Sequence, residues 1–271
     1  MIVESPAAPG ARLISLDDVG STNAEAFARA RAGERGPLWI MARRQTAGRG
    51  RRGRAWVSEP GNLYASLLLT DPAPPPRAAE LSLVAALALH DALAERAAVL
   101  GPRLKLKWPN DVLCDGAKIS GILVEGEGLP GRPLAVVIGI GVNCAHHPAD
   151  TAYPATNLAA AGALVTPETL AQALVGTMAR RLAEWDRGEN FAAIRAAWLK
   201  RAAGLGAPAR VRLPEREVDG IAETLDQAGR LVLRLADGTR ERIAAGEMFP
   251  LVHDPEKWVP VFGKDHAQTK S

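Results

Sequence analysis

A loop rich in glycine and arginine follows directly on an apolar run and sets narrow limits on the local fold. The apolar run, residues 38–42, reads Leu-Trp-Ile-Met-Ala, and the loop, residues 48–56, reads Gly-Arg-Gly-Arg-Arg-Gly-Arg-Ala-Trp. Glycine lets a backbone turn tightly and approach a ligand closely, and the arginine fork matches phosphate or carboxylate oxygens. A strand followed by such a loop predicts an anion site, while a solvated surface loop is the alternative that the run alone leaves open.

The positive charge of the chain is local rather than global. The 271 residues carry a net charge of only +3, yet residues 43–54 contain arginines and no acidic residue. This distribution favours a focused anion site over a broad nucleic-acid surface. The length allows one large domain and a small one, or two modest domains, and the hydrophobic content of 47% provides for a core.

Cysteine content and terminal sequence point to a reducing, cytoplasmic setting. Cys114 and Cys144 could form at most one bridge, so no disulfide framework is expected. Residues 1–6 lack the pattern of a signal peptide, and no apolar stretch is long enough to span a bilayer. The His-containing segment after Cys144 has no second ligand pair at a fitting spacing, so no protein metal site is assigned there.

Periodicity and turn residues predict a chain that contains both helices and strands. Thr22 is expected to open the first helix as part of a capping box. The sequence pattern changes near residues 202–208. The short runs of alternating apolar and polar residues that follow suggest a compact β-barrel of about fifty residues. Helices are expected at 22–32, 79–98, 167–186 and 190–203, and strands at 38–43, 62–69, 103–107, 118–125 and 134–140.

Two lysine-containing segments could carry chemistry. Residues 105–111 read Lys-Leu-Lys-Trp-Pro-Asn-Asp and residues 118–125 read Lys-Ile-Ser-Gly-Ile-Leu-Val-Glu. The first fits a strand that ends in a Pro-Asn turn as well as a cleft edge where Asp111 holds a magnesium ion. Lys118 is either a solvated charge or a point charge delivered into a pocket, because a following glycine permits close backbone approach.

Polar residues at a helix start and at a strand end give two further candidates. Residues 21–23 (Ser-Thr-Asn), with Gln45, could cap the helix or bind a neutral polar ligand head. Residues 139–143 read Gly-Ile-Gly-Val-Asn. Their glycines could form a β-bulge, and Asn143 could be a turn residue or could read a purine edge.

In this order, the segments resemble those of the biotin–protein ligase family, over about residues 12–250. The resemblance implies an α+β fold: a catalytic domain with a mixed sheet flanked by helices, related to class II aminoacyl-tRNA synthetases, followed by a small SH3-like barrel. It also implies a two-step reaction: biotin and ATP with Mg²⁺ form biotinyl-5′-AMP, which then acylates one lysine of a biotin carboxyl carrier protein. A lipoate–protein ligase is the alternative within this chemistry, and a nucleic-acid-binding module is the alternative outside it.

The resemblance carries roles to individual positions. Four residues match positions that hold the biotin head: Ser21, Thr22, Asn23 and Gln45. Arg49, Gly50 and Arg51 match the loop that closes over the adenylate, Lys118 matches a lysine near the reacting carboxyl, and Asn143 matches a nucleotide-side position. The catalytic candidates are Arg51 and Lys118, with Asp111 as a guess for the base.

The resemblance also sets expectations for organisation and partners. Residues 1–205 are expected to form the ligase domain and 206–254 the small domain. Residues 255–271 match no part of the family, and their polar composition predicts a frayed tail. Ser21 lies too near the start for a preceding DNA-binding domain, so the monofunctional type is expected. The expected partner is the carboxyl carrier domain of acetyl-CoA carboxylase, with no nucleic acid and no membrane, and a homodimer is left open.

Overall fold

The computed structural model describes residues 3–8, 11–128, 131–149 and 151–251, and these divide into two compact units. Among these described residues, those up to Ala203 together with Gln227–Gly229 form the first unit, and 204–226 together with 230–251 form the second. The domain limits at 1–205 and 206–254 stay a prediction. The tail expected at 255–271 lies outside the described residues.

An eight-stranded mixed sheet forms the centre of the first unit. Its order is β1-β2-β3-β4-β8-β7-β6-β5, and only the β2–β3 pair is parallel. The strands are Val3–Ala8 (β1), Ala11–Val19 (β2), Leu38–Gln45 (β3), Leu63–Thr70 (β4), Leu104–Lys107 (β5), Asp111–Cys114 (β6), Ala117–Glu127 (β7) and Ala135–Val142 (β8).

Four α-helices pack around this sheet: Thr22–Arg31 (α1), Leu81–Arg96 (α2), Pro167–Trp185 (α3) and Phe191–Leu199 (α4). Helix α1 packs on β3, β4 and β8, and α2 packs on β5, β6 and β7 as well as on α3 and α4. Ten of the 16 residues of α2 are buried, as expected of a helix covered on most sides. The mixed sheet flanked by helices is therefore confirmed. No helix within the described ranges is long and apolar enough to cross a bilayer.

The first helix begins one residue earlier than its capping pattern indicated. Ser21 is the N-cap: it has extended backbone angles, and its hydroxyl accepts from the Ala24 N–H at 3.5 Å. Thr22 lies inside the helix, and the Glu25 side chain accepts from Arg29 instead of closing a capping box. The capping box at Thr22 was therefore wrong. Capping by Ser21 leaves the Thr22 hydroxyl free to bond outside the helix.

Two other local predictions change in the structure. Asp111 begins strand β6 rather than lying within a turn, and it pairs with Lys107 of β5 and Gly121 of β7. Strand β8 keeps continuous register with both neighbours from residue 135 to 142, so its glycines form no bulge. Strands β1, β2 and β6 were not predicted, because β6 is short and β2 mixes charged with apolar residues.

A five-stranded antiparallel sheet forms the second unit, with the order β12-β11-β10-β9-β13. Its strands are Pro208–Arg212 (β9), Glu217–Leu225 (β10), Leu231–Arg234 (β11), Arg240–Ile243 (β12) and Glu247–Pro250 (β13). The short-strand antiparallel character is confirmed. The barrel is not closed by pairing in the part of the chain that is described, because β12 and β13 are not partners there.

Candidate active site

The four residues assigned to a ligand head lie together where the start of α1 meets the end of β3. Both the N–H and the hydroxyl of Thr22 donate to Gln45 Oε1, at 2.9 and 3.0 Å. The hydroxyl of Ser66 lies 2.7 Å from Thr22 Oγ1 and 2.6 Å from Asn23 Oδ1. We call Ser21, Thr22, Asn23, Gln45 and Ser66 the head cluster. All except Gln45 are buried, so these polar groups are held in a fixed pattern.

Three glycines of β7 and β8 make room for the side chains that press on the sheet beside the head cluster. A Cβ at Gly139 would collide with Asn23 Oδ1, and a Cβ at Gly141 would lie 2.6 Å from the Trp56 indole. Gly121 is the strand partner of Gly141, and a Cβ added there would lie 3.0 Å from the same indole. The glycines in the 139–143 segment therefore serve close side-chain approach, not a bulge.

The glycine–arginine loop, residues 48–56, is a tight hairpin held against β7. Arg49 and Ala55 form an isolated antiparallel bridge, and the Trp56 N–H donates to the Gly48 carbonyl at 2.9 Å. Two arginines of the hairpin contact residues outside it: Arg49 lies 3.4 Å from Glu125, and Arg51 donates to Asn110 Oδ1 at 3.3 Å. The hairpin thus brings two of the predicted arginines to the β7 side of the sheet.

Trp56 anchors the far end of this loop over the sheet. Its ring centroid is 5.6 Å from the ammonium nitrogen of Lys118, within range of a cation–π contact. Its Nε1 is buried and has no hydrogen-bond acceptor among the described residues. A buried donor without a partner is costly in a folded chain, which makes this N–H a candidate to meet a bound ligand.

A cluster of two lysines and one carboxylate lies beside the loop. Asp111 Oδ1 is 2.6 Å from Lys118 Nζ, and Asp111 Oδ2 is 3.3 Å from Lys107 Nζ. The Lys107 ammonium also lies 3.8 Å from the ring centroid of Tyr153. The exposed fractions of the side chains are 3% for Lys107, 9% for Asp111 and 26% for Lys118. Only Lys118 in this charged triad is therefore open to solvent to an appreciable extent.

The charge state of Asp111 follows from these contacts. Burial alone would raise the pKa of Asp111, but the attraction of Lys118, and then of Lys107, outweighs it. The pKa of Asp111 therefore lies below its ordinary value, and the carboxylate stays ionised. A group held in this way is a weak proton acceptor near neutral pH.

The same contacts test Asp111 as a magnesium ligand. Both of its oxygens face ammonium groups, and a Mg²⁺ ion there would have to displace two cations. In the described ranges no group of three or more His, Cys, Asp and Glu residues could hold a metal ion. The Asp111 site does not fit a magnesium ion, so the reading of Asp111 as its ligand is not supported.

Asn143, assigned to the nucleotide side, is a buried residue that holds a loop. Its Nδ2 donates to the Thr156 carbonyl at 3.0 Å, and its backbone bonds both Ile119 and Leu158. These contacts fix residues 156–158 against the start of β7. A role toward a nucleotide stays a prediction.

Sequence reasoning missed three residues that join the site together. Ser66 is the lone aliphatic hydroxyl in the buried run of β4, Ser58 accepts from Gln45 Nε2 at 3.0 Å, and Glu125 accepts from Asn23 Nδ2 at 2.8 Å. A polar residue inside a fully buried strand is a usable signal, and Ser66 carries it. Ser58 and Glu125 carry no such signal, because loop and strand-end polar residues are common.

Comparisons with known proteins find matches to family models in both units. The family model described as "Biotin/lipoate A/B protein ligase family" matches residues 21–143, and the model "Biotin protein ligase C terminal domain" matches residues 204–249. A biotin–[acetyl-CoA-carboxylase] ligase of Paracoccus denitrificans is 45% identical over 237 residues, which cover 84% of this chain and 96% of that protein. The chain belongs to the biotin protein ligase family.

Solved structures of biotin protein ligases share its fold. The enzyme of Aquifex aeolicus in complex with biotin and ATP superposes with a TM-score of 0.73 at 28% identity, over 88% of this chain and 97% of that one. The enzyme of Leishmania major in complex with biotinyl-5-AMP superposes with a TM-score of 0.59 at 29% identity, over 86% and 98%. The predicted biotin protein ligase family is therefore confirmed.

Proposed function

We propose that this chain is an ATP-dependent biotin–protein ligase that forms biotinyl-5′-AMP and transfers biotin to a carrier lysine. The observation that carries the proposal is the arginine hairpin, held by Trp56 over glycines 121 and 141 beside the Lys118–Asp111 pair, in a chain of this family. Residues 1–205 would supply the ligase domain and residues 206–254 the small domain.

The head cluster suits the ureido end of biotin. Biotin is apolar apart from its carboxylate and this polar head, so a few placed hydroxyl and amide groups fix its orientation. Thr22 and Gln45 are bonded to each other at 2.9–3.0 Å, and Ser21 and Asn23 flank them on α1. We assign biotin-head binding to these four residues.

Arg51 and Lys118 would cancel the repulsion between the two anionic substrates. The biotin carboxylate must attack the α-phosphorus of ATP, and both groups carry negative charge. Cations that are already oriented at the developing charge stabilise the transition state, usually as the largest single catalytic contribution. Magnesium supplies further positive charge, and in this proposal it arrives with ATP as the substrate MgATP.

Asp111 would position Lys118 rather than abstract a proton. Its lowered pKa and its two lysine contacts make it a poor base. By holding the Lys118 ammonium at 2.6 Å, it fixes the direction of the one lysine of the triad that is partly exposed. The base that deprotonates the incoming lysine is left unassigned.

The hairpin would protect the acyl-adenylate from water. This mixed anhydride hydrolyses readily, so a loop of Arg49, Gly50 and Arg51 closed over it would retain it until an amine arrives. The natural acceptor would be a biotin carboxyl carrier domain of acetyl-CoA carboxylase, the substrate named for the Paracoccus relative.

The lipoate alternative is disfavoured by the second unit. The model that matches residues 204–249 describes the C-terminal domain of biotin protein ligases, and two of the solved relatives are complexes with biotin and ATP or with biotinyl-5-AMP. Lipoate also lacks the ureido N–H groups that the head cluster could bind.

The test is pyrophosphate release by the purified chain with MgATP and either biotin or lipoate, followed by labelling of a carrier domain. We expect pyrophosphate release only with biotin, and transfer to a single carrier lysine. Release with lipoate alone would favour the alternative. Absence of release with both acids would contradict the proposed function.

A further inference from the structure

Two hydrogen-bond chains leave Thr22 and reach opposite ends of the loop at residues 48–56. The first runs from Thr22 to Gln45, whose Nε2 donates to Ser58 Oγ at 3.0 Å. The Ser58 hydroxyl in turn donates to the Trp56 carbonyl at 2.8 Å. The head cluster is therefore joined to the Trp56 end of the loop.

The second chain runs to the Arg49 end of the loop. Ser66 contacts both Thr22 and Asn23, at 2.7 and 2.6 Å. Asn23 Nδ2 then donates to Glu125 Oε2 at 2.8 Å, and Glu125 Oε1 lies 3.4 Å from Arg49. Glu125 is the one charged residue between the head cluster and Arg49 on this chain of contacts.

The carboxylate fixes the direction of the second chain. An ionised carboxylate only accepts hydrogen bonds, so the amide nitrogen of Asn23 must face Glu125. The carbonyl oxygen of Asn23 must then face the Ser66 hydroxyl, which shares its single hydrogen between Asn23 Oδ1 and Thr22 Oγ1. Without Glu125, the Asn23 amide would be free to turn and the order of donors around Thr22 would no longer be set.

We propose that Glu125 is a positioning residue that couples the head cluster to the loop: one oxygen orients Asn23 and the other holds Arg49. This inference rests on the proposed function, because it concerns how that site binds biotin and retains the adenylate. Ligand binding at the head cluster is thereby linked to closure of the arginine loop through a single carboxylate.

The two contacts of Glu125 differ in strength. The Arg49 contact is long and joins side chains that are 49% and 29% exposed, and ion pairs of this kind shift an equilibrium only by about two- to fivefold. The Asn23 contact involves a side chain in a buried residue, and leaving such a donor unpaired has a larger effect, on the order of tenfold. Loss of the first contact should therefore affect the loop, and loss of both should also affect biotin binding.

The experiment compares Glu125→Gln and Glu125→Ala by steady-state kinetics with biotin and by the rate at which preformed biotinyl-5′-AMP escapes. Glutamine can still accept from Asn23 but has no charge for Arg49. We expect Glu125→Gln to speed escape about two- to fivefold with little change in the KM for biotin. Glu125→Ala should in addition raise that KM about tenfold.

Glu127→Gln is the matched control. Glu127 lies two residues further along β7 and also pairs with an arginine, Arg31, at 2.5 Å, but among the described residues it forms no hydrogen bond or ion pair with the head cluster or the loop. It should leave both readouts unchanged. A merely structural role for Glu125 would lower stability in urea without separating KM from escape.

The double variant Arg49→Ala/Glu125→Ala separates coupling from independent effects. If the two residues act together, its escape rate should match that of Arg49→Ala alone. A folded Glu125→Ala variant that changes neither the KM nor the escape rate would overturn the role of Glu125. A double variant in which the two effects on escape multiply would do the same. In both cases the proposed function would stand. An inactive wild-type chain would overturn both.

Discussion

Both units pair cations with carboxylates on neighbouring strands, but the pairs differ in exposure. In the first unit, the Lys107 and Asp111 side chains are 3% and 9% exposed. In the second unit, Arg210 and Asp219 form a bidentate pair at 2.7 Å, with side chains 44% and 49% exposed. The Arg210–Asp219 contacts are shorter than the 3.3 Å contact between Lys107 and Asp111. Water nevertheless screens the exposed pair. Burial, not distance, therefore distinguishes the Lys107–Asp111 pair from the Arg210–Asp219 pair.

The glycines of the two units differ in a parallel way. Gly141 is needed because a side chain, the Trp56 indole, lies on it. Gly220 of β10 is needed because backbone lies on it: a Cβ there would be 2.5 Å from the Arg234 carbonyl oxygen. A side chain can move aside more readily than a strand, so the same substitution should damage function in one unit and stability in the other.

Asp111→Asn should give the largest effect. It leaves the buried ammonium of Lys107 without a counter-charge, and breaking a buried pair in this way costs about 3–5 kcal/mol. Urea unfolding checks the stability, and pyrophosphate release checks the expected loss of adenylation. A variant as stable as the wild type would remove the contrast between the two units.

The same variant should change the response to acid. The pKa of Asp111 is lowered from 3.8 in the folded protein. Its charge therefore contributes stability that is present above 3.8 and is lost as the pH falls through the lowered value. Asp111→Asn should flatten this part of the acid-unfolding curve, measured by circular dichroism between neutral pH and pH 2.

Arg51→Ala should reduce activity strongly while leaving the fold intact. Removing one donor at a developing charge costs about 2.7–4 kcal/mol of transition-state stabilisation, which corresponds to about 10²–10³ in rate. Single-turnover adenylate formation checks this, with the urea midpoint as the test of folding. Arg210→Ala is the matched control in the second unit, and it should change neither measurement. Normal adenylation by Arg51→Ala would remove the loop from the mechanism.

Gly141→Ala and Gly220→Ala together test the contrast between the glycines. We expect Gly220→Ala to lower the free energy of unfolding by about 1–3 kcal/mol, since the added methyl meets backbone. Gly141→Ala should displace Trp56, which Trp fluorescence reports, and should speed adenylate escape with a smaller loss of stability. The reverse ranking in urea would show that Trp56 is held as rigidly as a strand.

Asp219→Asn should give the smallest effect. The pair with Arg210 lies at the surface, so its loss should leave the urea midpoint and the adenylation rate unchanged. A clear loss of stability would mean that burial is not what distinguishes the two clusters.

The sequence by itself determined the helices, most of the strands and the chemistry of the loop, but not β1, β2 or β6. Alternation and 3.6-residue periodicity depend on local burial, so most elements are found within a few residues of their predicted ends. The glycine–arginine pattern is local too, and it named Arg49, Gly50 and Arg51 without any knowledge of the fold. Family resemblance added Lys118 and the head residues.

Only the tertiary structure decided which of these residues meet. Asn23 and Glu125 are 102 positions apart, and they touch because β8 and β7 follow β4 in the sheet order while α1 packs across β8. Asp111 changed from a candidate base and magnesium ligand to the partner of two lysines for the same reason. Pairing across a sheet depends on strand order, which no local pattern encodes, so the long-range contacts of the site could not be read from the chain.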